Sequence, residues 1–308
     1  CDNILGYPSL YTLHPTLNTE QNKSKINNTM KKTFLFLAAC ALSMLANAQI
    51  LEVVSTQQLP AEQGTMWKVA GFSPVGDYIL LTDSYDKGLV RYDLATQTKK
   101  VISEGVGAGW AVKISKDGKN IVYREKTIDA NKITRSNIYQ HSLVSNQRSL
   151  QAKAQVGMTE LVDKSAKVGI TINTDLHIVL VRNGKNIVLT PSGANERYID
   201  AKVSPDNKHI IYRVSGKGCY ICDLEGKNVR FLTSRCHAPQ WYDNNTLVAM
   251  DYDDNGEQVT ASGIVAYTLD GKSQVLVEKS QMAIFPHVAE GKIAYTNTKG
   301  ELFLMTVK

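Results

Sequence analysis

Residues 201–233 read "AKVSPDNKHIIYRVSGKGCYICDLEGKNVRFLT". Short runs rich in Ile, Val, Tyr and Phe, the residues that suit a pleated surface, alternate here with turn signals such as Ser-Pro-Asp-Asn-Lys and Asp-Leu-Glu-Gly-Lys. The strand-turn-strand pattern recurs as "GFSPVGDYILL" at 71, "VKISKDGKNIVY" at 112, "ELVDKSAKVGIT" at 160, "PQWYDNNTLVAM" at 239 and "PHVAEGKIAY" at 286. Taking the large apolar residue before each turn as a marker gives Phe72, Ile114, Leu161, Val203, Trp241 and Val288, at spacings of 42, 47, 42, 38 and 47 residues. A period in the low forties with about four strands per unit is the mark of a β-propeller blade. The predicted fold is all-β: one six-bladed propeller of four-stranded blades occupying residues 49–308.

The sixth unit stops at "ELFLMTVK", one strand short, and a ring left open there would expose a sheet edge. "ILEVVSTQQL", residues 50–59, is an alternating strand standing alone before the first unit. Residues 50–58 are therefore expected to pair with 301–307 as the outer strand of the sixth blade.

Ahead of the repeats, residues 1–29 are Asn/Thr-rich and carry no apolar period, so they read as an upstream disordered segment outside the native protein. Residues 30–48 have the layout of a signal peptide: Lys31 and Lys32, an apolar run, and Ala46-Asn47-Ala48 as a small-x-small cleavage site. The apolar run is too short to span a bilayer, so the mature chain is expected to begin at Gln49 and to be periplasmic or secreted. "LAAC" ending at Cys40 keeps a lipoprotein anchor open as an alternative. Without residues 1–48 the 35 basic and 29 acidic side chains become 31 and 27, an excess too small and too scattered for nucleic-acid binding.

"FSPVGDYILL", "VSPDNKHIIYR" and "CYICDLEGKNVRFLT" resemble the repeats of TolB-type, WD40-like propellers, and the resemblance extends from about residue 50 to 308. It implies the six-bladed fold and a scaffold that binds protein partners in the bacterial cell envelope. TolB-type proteins also carry an N-terminal α/β domain for which this sequence has no counterpart, so a transport role is not implied.

Cys219 and Cys222 stand in a Cys-x-x-Cys spacing, but the repeat places them on a strand. Residues three apart there lie roughly 10 Å apart on opposite faces, whereas disulfide-linked Cα atoms must lie within about 7 Å. Asp223 follows where haem attachment needs His, and zinc would need further ligands, with only Cys236 and His237 close in sequence. The mature chain holds three cysteines, so at most one bridge can form, and Cys219 with Cys236 is the favoured pair.

Residues four or five before each marker should line the mouth of the central funnel: Trp67, Trp110, Val156, Tyr198, Cys236 with His237, and Ala283 with Ile284, joined by Asp200. The aromatics could be wedges between blades or a ring that grips a peptide, a sugar or a partner loop. "DYDDNGEQ" in the fifth unit sets Asp251, Asp253 and Asn255 at alternate positions before Gly256, the first half of a calcium loop. Ser262 stands where that loop ends in Glu, with Glu257 the available substitute, and a solvated acidic hairpin is the competing reading. No other cofactor is indicated. Lipase-type, zincin, P-loop and dinucleotide motifs are missing. The expected function is a monomeric, non-catalytic scaffold holding a protein partner or a small ligand at the funnel. A propeller lyase or hydrolase using His237 and Asp200 as acid and base is the alternative.

Overall fold

The structure is a computed structural model and describes residues 49–60, 65–156 and 168–308. The upstream segment, the signal peptide, Cys40 and marker Leu161 all fall outside the described residues. The first strand, β1 (Val53–Leu59), precedes the blades. Blade one is β2 (Trp67–Phe72), β3 (Tyr78–Asp83), β4 (Leu89–Asp93) and β5 (Lys99–Ser103). Blade two is β6 (Lys113–Ile114), β7 (Asn120–Ile128), β8 (Thr134–Ser142) and β9 (Arg148–Val156). Among the described residues blade three has β10 (Val168–Ile172), β11 (Ile178–Arg182) and β12 (Lys185–Leu189). Blade four is β13 (Tyr198–Val203), β14 (His209–Val214), β15 (Gly218–Asp223) and β16 (Arg230–Thr233). Blade five is β17 (His237–Trp241), β18 (Thr246–Asp254), β19 (Val259–Thr268) and β20 (Ser273–Val277). β21 (Ala283–Ala289), β22 (Lys292–Asn297) and β23 (Leu302–Val307) complete the ring with β1.

Every blade is an antiparallel meander, and ring closure follows the expectation: β1 pairs with β23 from Val53↔Val307 to Leu59↔Leu302. The Gln274 side chain adds a second tie from blade five, accepting from the Ile50 and Leu51 amides at 2.6 and 2.9 Å and donating to the Leu51 carbonyl at 2.8 Å.

The repeated turns work through their side chains. In "SPDNKH" Ser204 Oγ donates to Asp206 at 2.7 Å and accepts from the His209 amide at 2.9 Å, holding β13 against β14. Asp223, ending β15, accepts from the amides of Glu225 and Lys227 at 3.0 and 2.7 Å, which tightens the Asp-Leu-Glu-Gly turn. The apolar faces released by this folding meet between blades. Phe72 packs with Ala294 and Leu302 of blade six, Val203 lies against Ile178 and Leu180 of blade three, and Trp241 joins Ile211 and Cys219 of blade four. No helix among the described residues is long and apolar enough to cross a membrane.

Two blades depart from the common dimensions. β3, β14 and β22 each have six residues, whereas β7 and β18 have nine.

Candidate functional site

The funnel mouth is built on a backbone device repeated in the innermost strands. Pairing with the second strand slips by one residue between Ile199 and Lys202, between His237 and Gln240, and between Ile284 and His287. Inside these bulges Asp200, Ala238 and Phe285 adopt φ of 55°, 48° and 51°. Ala111 has φ 54° at the matching place in blade two. None of the four is glycine, so the left-handed conformation is strained and the surrounding sheet must enforce it. A bulge bends the strand and re-aims its side chains, here at the mouth of the funnel.

Blades four and five supply a cluster of polar and charged side chains at the mouth. Asp200, at the bulge of β13, accepts from Arg213 of β14 at 2.8 Å. The imidazole of His237, at the start of β17, lies on the ring of Tyr252 with centroids 4.0 Å apart. Desolvation, reinforced by the nearby Arg213 charge, pushes His237 down to about 4, so it is neutral at physiological pH. Asp200 and His237 are not hydrogen-bonded to each other, and Asp200 Oδ2 is held by the Arg213 guanidinium.

Beside them Arg235 binds Asp251 at 2.7 Å and also Asp253, and Lys279 reaches Asp251 at 3.2 Å and Asp253 at 3.1 Å. These hydrogen bonds hold the Asp253 carboxyl below the usual carboxylate range. The alternation that suggested a calcium loop is ordinary strand alternation: Asp251 and Asp253 lie within β18, facing two cations. Asn255 and Glu257 lie beyond the strand, where Asn255 Oδ1 accepts from the amides of Glu257 and Gln258 at 3.0 Å. The four residues do not converge, and among the described residues no group of three or more His, Cys, Asp or Glu is arranged to hold a metal ion.

The aromatic positions divide. Trp67 is half-buried against the core between blades six and one, with Lys99 5.1 Å from its ring. Trp110 is half-buried under the guanidinium of Arg124 at 4.2 Å and the ammonium of Lys126 at 5.2 Å. Tyr198 corrects the expectation of an exposed rim residue: it is fully buried, and its hydroxyl donates to the Gly193 carbonyl and accepts from the Ser192 amide at 2.8 and 2.9 Å. It wedges between blades three and four. Cys236 is likewise buried beneath the rim, not on it, and Ala283 is buried between blades five and six. The side chain of Val156 lies outside the described residues.

Cys219 and Cys222 point to opposite faces of β15, as the strand reading requires, into the cores shared with blades five and three respectively. All three described cysteines are free and buried. Cys219 Sγ donates to the Cys236 carbonyl at 3.1 Å, and burial raises both the Cys219 and Cys222 thiols, Cys222 to about 12. They are inert core fillers in this state.

Sequence reading missed Arg213, Tyr252, Lys68 and Phe285, which complete the mouth. Lys68 pairs with Asp86 and stands 5.5 Å from the Phe285 ring, linking blades one and six. The available signal was position: Lys68 directly follows Trp67, and Phe285 directly follows Ile284.

Comparison with solved structures agrees with this architecture. A protein of Agrobacterium tumefaciens assigned as TolB superposes with a TM-score of 0.56 at 17% identity, over 80% of this chain and 91% of that one. The fold is that of the TolB-type six-bladed propeller. TolB of Acinetobacter baumannii matches with a TM-score of 0.50 at 18% identity, over 77% of this chain and 53% of its own length. An oligogalacturonate lyase of Vibrio parahaemolyticus gives 0.48 at 9% identity, over 83% of this chain and 97% of that one. No family model matches the sequence. No curated protein matches it either.

Proposed function

We propose that this chain is an exported, non-catalytic propeller of the bacterial cell envelope that holds a protein partner on its funnel face. Export rests on the signal peptide read at residues 30–48, with cleavage after Ala48 or a lipid anchor at Cys40 as its two forms. The supporting observation is that the three carboxylates set around His237 at the mouth are already paired with cations. Asp200 is held by Arg213, and Asp251 and Asp253 by Arg235 and Lys279, which leaves a fixed, half-exposed polar surface with no acid/base couple between Asp200 and His237. A preorganised surface of this kind loses little freedom on binding and favours recognition over chemistry. Against a carbohydrate platform, the indole of Trp110 already carries Arg124 and Lys126, and that of Trp67 carries Lys99.

The test is site-specific photo-crosslinking in the native envelope. A photoreactive residue replaces Trp110 or Tyr252 at the mouth, or Val144 in the turn between β8 and β9 at the opposite end of its blade. Protein adducts at the two mouth positions and none at Val144 are expected; adducts confined to Val144 would refute a funnel-face partner. Turnover of any glycan or peptide substrate that disappears in His237→Ala would instead establish the enzyme alternative.

A further inference from the structure

The pairing register singles out two blades. From the residue opposite the marker, the second strand runs four residues further in blades one, four and six: Ile79 to Asp83, Ile210 to Val214 and Ile293 to Asn297. In blades two and five it runs seven, from Ile121 to Ile128 and from Leu247 to Asp254. The innermost strands lead away from the funnel mouth, so their antiparallel partners lead towards it and the extra length projects on that side. Three residues at about 3.3 Å each raise these hairpins roughly 10 Å above the others. Blades two and five are three places apart in a ring of six, so the raised hairpins face each other across the mouth.

Their charges are opposite. In the blade-five hairpin Asp251 and Asp253 are neutralised by Arg235 and Lys279, which leaves Asp254 and Glu257, both exposed and without an ion pair among the described residues. In the blade-two hairpin Asp129 is matched by Arg135 and Glu125 by Arg148. Lys126 and Lys132 supply that hairpin's surplus cations. Its tip also presents Ile128 and Ile133 at 73% and 41% exposure, two branched aliphatic side chains at either end of the turn Asp129-Ala130-Asn131-Lys132. At the raised tip both are open to apolar side chains of a partner.

We infer that the two hairpins are jaws that seat one extended segment of a partner protein, its acidic, aliphatic end on blade two and its basic end on blade five. This rests on the funnel-face reading above and adds the partner's chemistry and the residues that select it. The walls being of opposite sign, a segment carrying one charge throughout meets repulsion at one jaw, whereas a bipolar one is attracted at both and orients as it arrives.

The probe is a fluorescein-labelled synthetic peptide with an Asp/Ile-rich block, a Gly/Ser spacer and a Lys-rich block, titrated into the full chain by fluorescence anisotropy at low and high salt. It is expected to bind at least tenfold more tightly than peptides in which either block is replaced by Ser/Gly, with the preference shrinking as salt rises. The double substitution of Asp254→Lys and Glu257→Lys should weaken it at least tenfold. A peptide whose Lys block is changed to Glu should recover binding to that variant alone. Ile128→Ser with Ile133→Ser should weaken it further, and since all four side chains are exposed, an unchanged circular-dichroism melt verifies folding. Equal binding of the three peptides, or binding indifferent to the tip substitutions, would overturn the jaws. If photo-crosslinking at Trp110 and Tyr252 persists in that outcome, the funnel-face function survives without them. Tip-dependent binding with no crosslinks at those positions would retain the jaws and sink the funnel-face reading.

Discussion

Ring closure by β1 makes a quantitative demand on two leucines. Leu51 just precedes the strand and Leu59 ends it, each 4% exposed, whereas residues 53–58 between them are exposed. Leu51 packs in the core between blades five and six and Leu59 in the core between blades six and one. The strand thus pins both seams of the closing blade while its ladder to β23 supplies the outer edge. Truncating a buried leucine to alanine costs about 2–5 kcal/mol. Because the two sites lie in separate clusters without a shared partner, Leu51→Ala and Leu59→Ala should add, giving roughly 6 kcal/mol together. For a domain of this size about 1 kcal/mol moves Tm by about 2–4 °C, so each single variant should melt about 6–12 °C lower and the double about twice that. The exposed Thr56→Ala should change stability by about 0.5 kcal/mol or less. Gln274→Ala, which strips three hydrogen bonds from the backbone of Ile50 and Leu51, should fall between, at about 1–2 kcal/mol. Calorimetric or circular-dichroism melts of the five proteins decide the matter. A double variant no worse than either single, or single variants indistinguishable from Thr56→Ala, would show that the ring does not depend on this strand.

Acid should destabilise the propeller through its imidazoles. Burial pushes His237 down to about 4 and His287 to about 3, against an unfolded value near 6.5, so the unfolded chain binds more protons between those limits. Their contribution is complete above about pH 6.5 and is lost as pH falls towards 4. Urea titrations across that window should show a loss of a few kcal/mol, smaller in His287→Gln, whose new side chain matches Gln240 at the same place in blade five. Ala238→Gly should raise stability by up to about 1 kcal/mol in the same assay by relieving a left-handed alanine, and a loss would mean that the bulge is not strained. Millimolar calcium should leave the melt unchanged, because Arg235 and Lys279 already occupy the carboxylates of Asp251 and Asp253; a calcium-dependent rise in Tm abolished by Asp251→Ala would show that the ion displaces them.

Much of the fold was legible in the text because each blade repeats the same local bargain. A Ser, Asp or Asn side chain holds most of the turns, β-branched residues fill the strands between, and a period in the low forties counts the blades. Even the displaced closing strand could be found, since an unpaired edge after "ELFLMTVK" needs a partner. The mouth was harder. Trp67, Trp110, Asp200 and His237 were found by counting back from the markers, because position along an inner strand sets height in the funnel. Counting could not tell Tyr198 and Cys236, turned into the seams between blades, from Asp200 and His237, turned outward, since one bulged residue inverts which side a side chain faces. The bulges themselves left no trace, as Asp200, Ala238 and Phe285 take a glycine-like conformation without being glycine.

What the sequence by itself determined is therefore the repeating unit, its number and its closure, all of which follow from contacts between residues near in the chain or from one unsatisfied edge. Tertiary structure alone decided the rest: the Asp200–Arg213 pair, the tilted contact of His237 with Tyr252, the capture of Asp251 and Asp253 by Arg235 and Lys279, and the opposition of the hairpins of blades two and five. The first three are set inside blades four and five, where a bulge decides which side chains of neighbouring strands meet, and the last by where blades fall around the ring. A bulge is a backbone conformation that these non-glycine residues do not announce, and the opposition of two hairpins is set by the packing of whole sheets around an axis, so neither is read from one blade's pattern.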